Sequence, residues 1–265
     1  MANHLADDRY CIKNGYRSNL VQITLDSDED NNYWNAERLS LASSFQYDVY
    51  RMAVDLLRDR RRGTLLDVGS GPPLKLQELL PSTGIAVHLV DQPSTESLAA
   101  RLLPDASFTG ANLESIEINL GKRFDVIVCA DVIEHLIDPD SCLAFIRRHI
   151  RQDGIFLIST PERDLLRGPE MTYSPHPMHV REWNAREFAA FLGSRGWLVE
   201  SQRSSPTALR EMASGVWQAT PPTRADTKLV FMSASGLPAA VAGPPSTMSC
   251  FVHQAEPEVS VLCVG

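Results

Sequence analysis

The stretch Leu65-Leu66-Asp67-Val68-Gly69-Ser70-Gly71-Pro72-Pro73 limits the fold more than any other part of the chain. It reads as a short apolar strand running into a glycine-rich turn, with a helix behind it over about 74–80. Gly69 and Gly71 let the backbone bend tightly and let a ligand approach without meeting a Cβ. The helix start offers free N–H groups and the positive end of a dipole. About 20 residues on, a second strand over 86–90 ends in Asp91. A carboxylate there can accept both hydroxyls of a ribose. The pattern points to an adenosine-type cofactor and leaves open which one.

Strands and helices alternate after this turn, which predicts a parallel sheet with helices on both faces. A short third strand is expected near 107–109, behind a helix capped by Ser94 and running to 103. Phe124-Asp125-Val126-Ile127-Val128-Cys129 is nearly all apolar, as a central buried strand should be. A helix over about 140–150 and a fifth strand over 155–159 follow. Asn184 and Glu187 form a capping-box start for a helix through 194, ended by Gly196, and Trp197 opens a sixth strand. Before the turn, Leu41, Phe45, Val49, Met52 and Leu56 recur at helical spacing, and Gly63 closes that helical segment. Tyr10, Tyr16, Tyr33 and Trp34 precede it and could line a pocket, although aromatics there are more often packing than site. The chain therefore divides into an N-terminal loop and helical cap over 1–62, an α/β core over 63–204, and a C-terminal extension over 205–265. The extension is proline-rich over 219–246, with strands expected near 228–232 and 247–253, the latter beside strand six.

Composition narrows the function classes. The 265 residues are 43% hydrophobic and 22% charged, which suits one α/β domain with additions. A net charge of −8 argues against a general binder of nucleic acid or of membrane surfaces. The basic run Arg58, Arg60, Arg61 and Arg62 reads as a solvated helix end. The acidic stretch 26–32 lacks the glycine and terminal glutamate of a calcium loop and reads as a solvated loop. Five scattered cysteines without metal-type pairing suggest reduced thiols in a cytosol. The N-terminus begins no secretory signal, and no apolar run reaches the ~18 residues of a membrane span, so a cytoplasmic protein is expected.

Four segments then fall into a recognisable order. They are Leu66-Asp67-Val68-Gly69-Ser70-Gly71, Asp91, the run from Phe124 through Ala130-Asp131-Val132-Ile133-Glu134-His135-Leu136, and Asp153-Gly154 leading to Ser159-Thr160-Pro161. Together they resemble the class I S-adenosylmethionine-dependent methyltransferases, over roughly residues 64–200. A bare GxG with a later acidic residue would also fit a dinucleotide fold. The strand-four and strand-five motifs separate the two. The resemblance implies a Rossmann-like, seven-stranded, mostly parallel sheet of order 3-2-1-4-5-7-6, with S-adenosylmethionine as cofactor and S-adenosylhomocysteine as product. It places Asp67, Gly69, Ser70 and Gly71 at the methionine part of the cofactor, and Asp91 on the ribose hydroxyls with Gln92 beside the adenine. Asn112 and Leu113 fall at the adenine amine and ring, and Ala130 and Asp131 beside the methionine tail. Pro72-Pro73 depart from the family, which more often has glycine there; the turn keeps its shape with fewer donors.

A narrower likeness lies in residues 159–168 and in His176-Pro177-Met178-His179-Val180-Arg181-Glu182-Trp183. These resemble methyltransferases found with saccharide-modifying enzymes. The likeness implies a saccharide or glycosylated acceptor, with Arg163, His176, Arg181, Glu182 and Trp183 on the substrate side. The tail over 259–264 resembles the first strand of a glycosyltransferase domain, which implies association or fusion with such an enzyme. A hydroxyl acceptor benefits from a base within hydrogen-bond reach. His179, after strand five, and His135, after strand four, are the candidates. No metal is expected, because the spacing of His135, His176, His179 and Glu182 forces no convergent ligand set. The reading is thus an O-methyltransferase. The alternatives are an N-methyltransferase of an amino sugar or other small amine, a nicotinamide-dependent oxidoreductase, and a non-catalytic scaffold.

Overall fold

The computed structural model describes residues 8–20, 34, 39, 42–43, 45–58, 63–81 and 83–205, and the strand segments 209–211, 217–219, 228–230 and 248–253. The acidic stretch 26–32, Tyr33, the basic residues Arg60, Arg61 and Arg62, most of the proline-rich stretch and the tail 259–264 lie outside the described residues.

Helix α1 (Tyr47–Arg58) is amphipathic and buries Val49, Tyr50, Ala53, Val54 and Leu57. Behind it β1 (Thr64–Val68) pairs in parallel with β2 (Ala86–Asp91) on one side and with β4 (Phe124–Ala130) on the other. β3 (Ser107–Gly110) extends the sheet past β2, and β5 (Ile150–Pro161) extends it past β4. All seven residues of β4 are buried, because helices cover both faces of a central parallel strand.

Strand alternation sends neighbouring residues into two cores. Leu65, Val126, Val128 and Leu157 pack with α1, with Leu76 of α2 (Leu74–Leu79) and with Ala99 of α3 (Glu96–Leu102). Leu66, Ile127, Cys129 and Phe156 face the other way. There they meet Phe145 and Ile146 of α4 (Asp140–His149) and, beyond α5 (Arg163–Arg167), Phe188 and Phe191 of α6 (Ala185–Ser194). Each such apolar side chain contributes roughly 1.5–3 kcal/mol on burial. The capping box at α6 forms as its sequence predicts: Asn184 accepts from the Glu187 N–H, and the Glu187 carboxylate accepts from the Asn184 N–H. Ser94 does not cap α3. Pro93–Thr95 form a 3₁₀ turn instead, and Thr95 stands at the cap position with its hydroxyl donating to the Gln92 carbonyl rather than capping the helix.

The parallel sheet has five strands in the order 3-2-1-4-5, not seven in the order 3-2-1-4-5-7-6. β6 (Leu198–Ser205), β9 (Lys228–Val230) and β10 (Met248–His253) extend it antiparallel. The edge of β5 is shared, with β10 beside Ile155–Ile158 and β9 beside Ser159–Pro161. Two short segments thus stand where one long strand was expected. β7 (Leu209–Glu211) and β8 (Trp217–Ala219) form a separate antiparallel pair. Among the described residues no helix is long and apolar enough to cross a membrane.

Candidate active site

A cavity of about 900 Å³ opens at the C-terminal ends of β1, β2 and β4. Gly69 and Gly71 line it and both hold positive φ, +73° and +50°. A Cβ on Gly69 would stand 2.3 Å from Cγ2 of Val132, so only glycine fits where the turn passes the end of β4. Pro73 takes the N-cap position of α2, and the turn is intact. The Gly71 N–H donates to Oδ2 of Asp91 at 2.6 Å, and the Gln92 N–H to Oδ1 at 2.6 Å. Burial raises the Asp91 pKa, and these two bonds oppose the rise. The carboxylate is therefore fixed in place with a lone pair left on each oxygen.

Asp67 lies beneath the turn rather than on the cavity wall, with no exposure at all. The Tyr50 hydroxyl donates to its Oδ1 at 3.1 Å, while Oδ2 is buried without a partner. Burial raises its pKa to about 7, against the pull of Lys75 and Tyr50. The turn, the pinned Asp91 and an acceptor oxygen left open beneath them suit a ligand with a ribose and a cationic amino-acid tail. Ser70, Gln92, Asn112, Leu113, Ala130 and Asp131 line the same cavity. The Asn112 oxygen already accepts the Glu114 N–H at 3.0 Å, capping a 3₁₀ turn.

Asp131 clamps the strand ends at the far side. It holds φ +53°, accepts from the Ser159 hydroxyl at 2.7 Å, and accepts from the Gln46 amide at 2.9 Å. The chain then turns through Ile133–His135. The Glu134 carbonyl accepts the Val180 N–H at 2.7 Å, and its carboxylate accepts from Thr160 at 3.1 Å. These bonds dock the segment 176–183 onto the ends of β4 and β5.

Three imidazoles meet there. His176 stacks on His179 with ring centroids 4.0 Å apart, and His179 stands edge-on to His135 at 4.8 Å. Nδ1 of His135 lies 2.8 Å from the Met178 carbonyl. A carbonyl only accepts, so the proton sits on Nδ1 and Nε2 keeps its lone pair. Burial, with His179 nearby, lowers the His135 pKa to about 4, so the ring is neutral at pH 7. Nδ1 of His179 lies 2.6 Å from Oε1 of Glu182. Burial alone would raise the Glu182 pKa; the bonds from His179 and Arg167 bring it down to about 2. Glu134, His135 and His179 each offer a ligand atom within 4.8 Å of the others, a set that could also hold a divalent ion.

The expected acceptor-side residues separate. Only His176 lines the cavity. Arg163 is fully buried and pairs with Glu187 and Asp164. Arg181 is buried beneath Tyr10, its guanidinium 3.7 Å from the ring centroid, and donates to the carbonyls of Leu136 and Ile137. The Trp183 indole is core and donates to the Tyr10 carbonyl at 2.8 Å. The Glu182 carboxylate is buried among Arg167, Ser174 and His179. These four hold the wall together and do not line the cavity. Gln46, Tyr50 and Lys75 reach the cavity from α1 and its approach and from α2, unanticipated. Their only signal is polarity between the apolar positions of an amphipathic helix.

Residues 44–202 match the family described as a methyltransferase domain. The ubiquinone biosynthesis O-methyltransferase of Paramagnetospirillum magneticum is 31% identical over 159 residues, 54% of this chain and 63% of that protein. The enzyme of the same name from Bradyrhizobium diazoefficiens is 29% identical over 129 residues, 45% of this chain and 51% of that protein. The matches thus span between half and two thirds of these relatives' length. The fold is shared with 1,6-didemethyltoxoflavin-N1-methyltransferase of Burkholderia thailandensis, crystallised with S-adenosylhomocysteine, at a TM-score of 0.53 and 23% identity over 78% of this chain and 85% of that one. It is shared too with the N-methyltransferase NodS of Bradyrhizobium japonicum, at a TM-score of 0.52 and 12% identity over 88% of this chain and 95% of that one.

Proposed function

We propose, for a chain that belongs to the methyltransferase domain family and is an S-adenosylmethionine-dependent methyltransferase, that it methylates a hydroxyl of a small organic acceptor. When bound, the cofactor supplies a methyl group already activated on a sulfonium. Asp91 would hold its ribose, with Gly69, Gly71 and Asp67 at its cationic methionine tail. The chain's own task is then to align the acceptor oxygen, exclude water and take a proton.

The observation that carries the reading is the anchored imidazole pair, His135 and His179. Both rings have Nδ1 anchored, to the Met178 carbonyl and to the Glu182 carboxylate. Each anchor orients an Nε2 as the base for a hydroxyl proton, and the buried Glu182 carboxylate stabilises the imidazolium that results. An amine acceptor would need no such base.

The kinship with O-methyltransferases of ubiquinone biosynthesis supports a hydroxyl acceptor of the quinone-precursor kind over a saccharide. The wall agrees, since four of the five residues expected to clamp a sugar, Arg163, Arg181, Glu182 and Trp183, are spent on the protein's own packing, while His176 and Met178 line the cavity.

The test is product formation from S-adenosylmethionine with a panel of phenols, catechols, sugars and amines. Methylated phenol or catechol that vanishes in His135→Ala, His179→Ala protein supports the reading. Methylation confined to amines, or undiminished in the double variant, overturns it.

A further inference from the structure

A second cleft, of about 480 Å³, runs along α4 to the end of the sheet where β4 and β5 begin. It shares no lining residue with the first cavity, which opens at the opposite ends of the strands. Arg123, Arg147, Arg148 and Arg195 converge on it, and Asp140 is its sole acidic lining residue. Asp140 is already taken, accepting from Arg9 at 2.8 Å and from Arg195 at 2.9 Å.

Among the described residues the hydrogen bonds of the other three guanidiniums go to carbonyls, which carry no net charge. Arg123 donates to Ile150 at 3.1 Å, Arg147 to Arg195 at 2.5 Å, and Arg148 to Ile116 at 3.3 Å. Arg147 is half-buried, with its guanidinium 4.5 Å from the ring centroid of Trp197. Burial lowers its pKa with no acidic partner to oppose the effect. Beneath it the Trp197 indole N–H is buried without an acceptor.

The dipole of α4 accounts for cations in its own last turn. It accounts neither for Arg123, which comes from another segment, nor for the open indole donor. Like charges gathered on a chain of net charge −8 repel one another unless an anion joins them. The planar donor forks of arginine match tetrahedral oxyanions.

We propose that this cleft binds an oxyanion of the phosphate class, held by Arg147 with Arg123 and Arg148 over the floor of Trp197. The occupant is free phosphate or the phosphoryl group of a small ester, and it sits apart from the methyl-transfer cavity.

The test titrates inorganic phosphate, at constant ionic strength, into the full ¹⁵N-labelled chain. It follows the indole N–H signal of Trp197 and the Nε–H signal of Arg147. The expected result is a saturable shift of both signals, with the affinity read from the Trp197 signal weakened about tenfold or more in Arg147→Gln protein and S-adenosylmethionine binding unchanged. Arg123→Gln and Arg148→Gln, both at exposed positions, give the same weakening should Arg147→Gln disturb the fold. A ribose 5-phosphate arm identifies the source: tighter binding than free phosphate marks an ester, equal binding the free anion. Shifts that do not saturate, that acetate reproduces at equal concentration, or that all three variants retain would mean an adventitious ion only, and would overturn the proposal.

Discussion

The two ends of the main cavity are built on different principles. At the end proposed for the cofactor the working parts are backbone: a turn at Gly69 and Gly71, two N–H groups on Asp91, and a close approach that excludes a Cβ. At the end proposed for the acceptor they are side chains: His135 is anchored by Met178 from a distant segment, and that segment brings His176 and His179 against it. Backbone sites are written in a few consecutive residues. Side-chain sites depend on which of many polar residues the fold turns inward.

Several variants would break or sharpen this contrast. The largest effect is expected at the acceptor end. His135→Ala with His179→Ala should lower kcat by roughly 10²–10⁴-fold, the usual contribution of general-base catalysis, with donor affinity kept; calorimetric titration of the cofactor beside turnover checks both. Turnover and donor affinity falling together would erase the distinction between the ends. Next comes Arg163→Ala, which strands Glu187 beside Asp164 in a buried network and should cost about 3–5 kcal/mol of stability in denaturant unfolding. His176→Ala, at an exposed position on the cavity wall, should leave stability nearly unchanged and raise KM. A stable Arg163 variant with altered acceptor choice would return that residue to the substrate side. Gly69→Ala should cost about 1–3 kcal/mol through its strained φ, and should weaken the donor rather than the acceptor.

The smallest effects separate the ends by pH. Burial and its neighbours move Asp67 from 3.8 to about 7, so the folded state keeps a proton there that the unfolded state has lost. Its contribution to stability is present at low pH and falls as pH rises through that window. His135 moves from 6.5 to about 4, so the folded state refuses a proton that the unfolded state accepts. Its contribution is present above pH 6.5 and is lost as pH falls toward 4. Unfolding free energies of Asp67→Asn and His135→Gln, each subtracted from wild type across pH 4–7, should therefore slope in opposite senses. Parallel slopes would show that the two groups do not titrate as placed.

Much of the fold was legible in the chain itself. β1, the glycine turn and Asp91 announced themselves because local sterics permit few alternatives at such a turn. The all-apolar β4 and the capping box at Asn184 were legible for the same kind of reason. The β5 edge was not, since β9 and β10 reach it from distant parts of the chain and divide it between them. The wall was half legible. His179 and His135 stood out, yet Arg163, Arg181, Glu182 and Trp183 looked equally poised for a ligand. Nothing in their spacing reveals that Tyr10, Tyr16 and Glu187 would enclose them.

The sequence alone thus determined the alternating α/β plan, the glycine turn and the family, because each rests on short-range sterics and hydrophobic periodicity. Only the tertiary structure decided which imidazoles have a fixed tautomer, which arginines are structural, and which remain without an acid at the second cleft. Those outcomes depend on burial and on partners far apart in the chain, such as Met178 for His135 and Glu187 for Arg163.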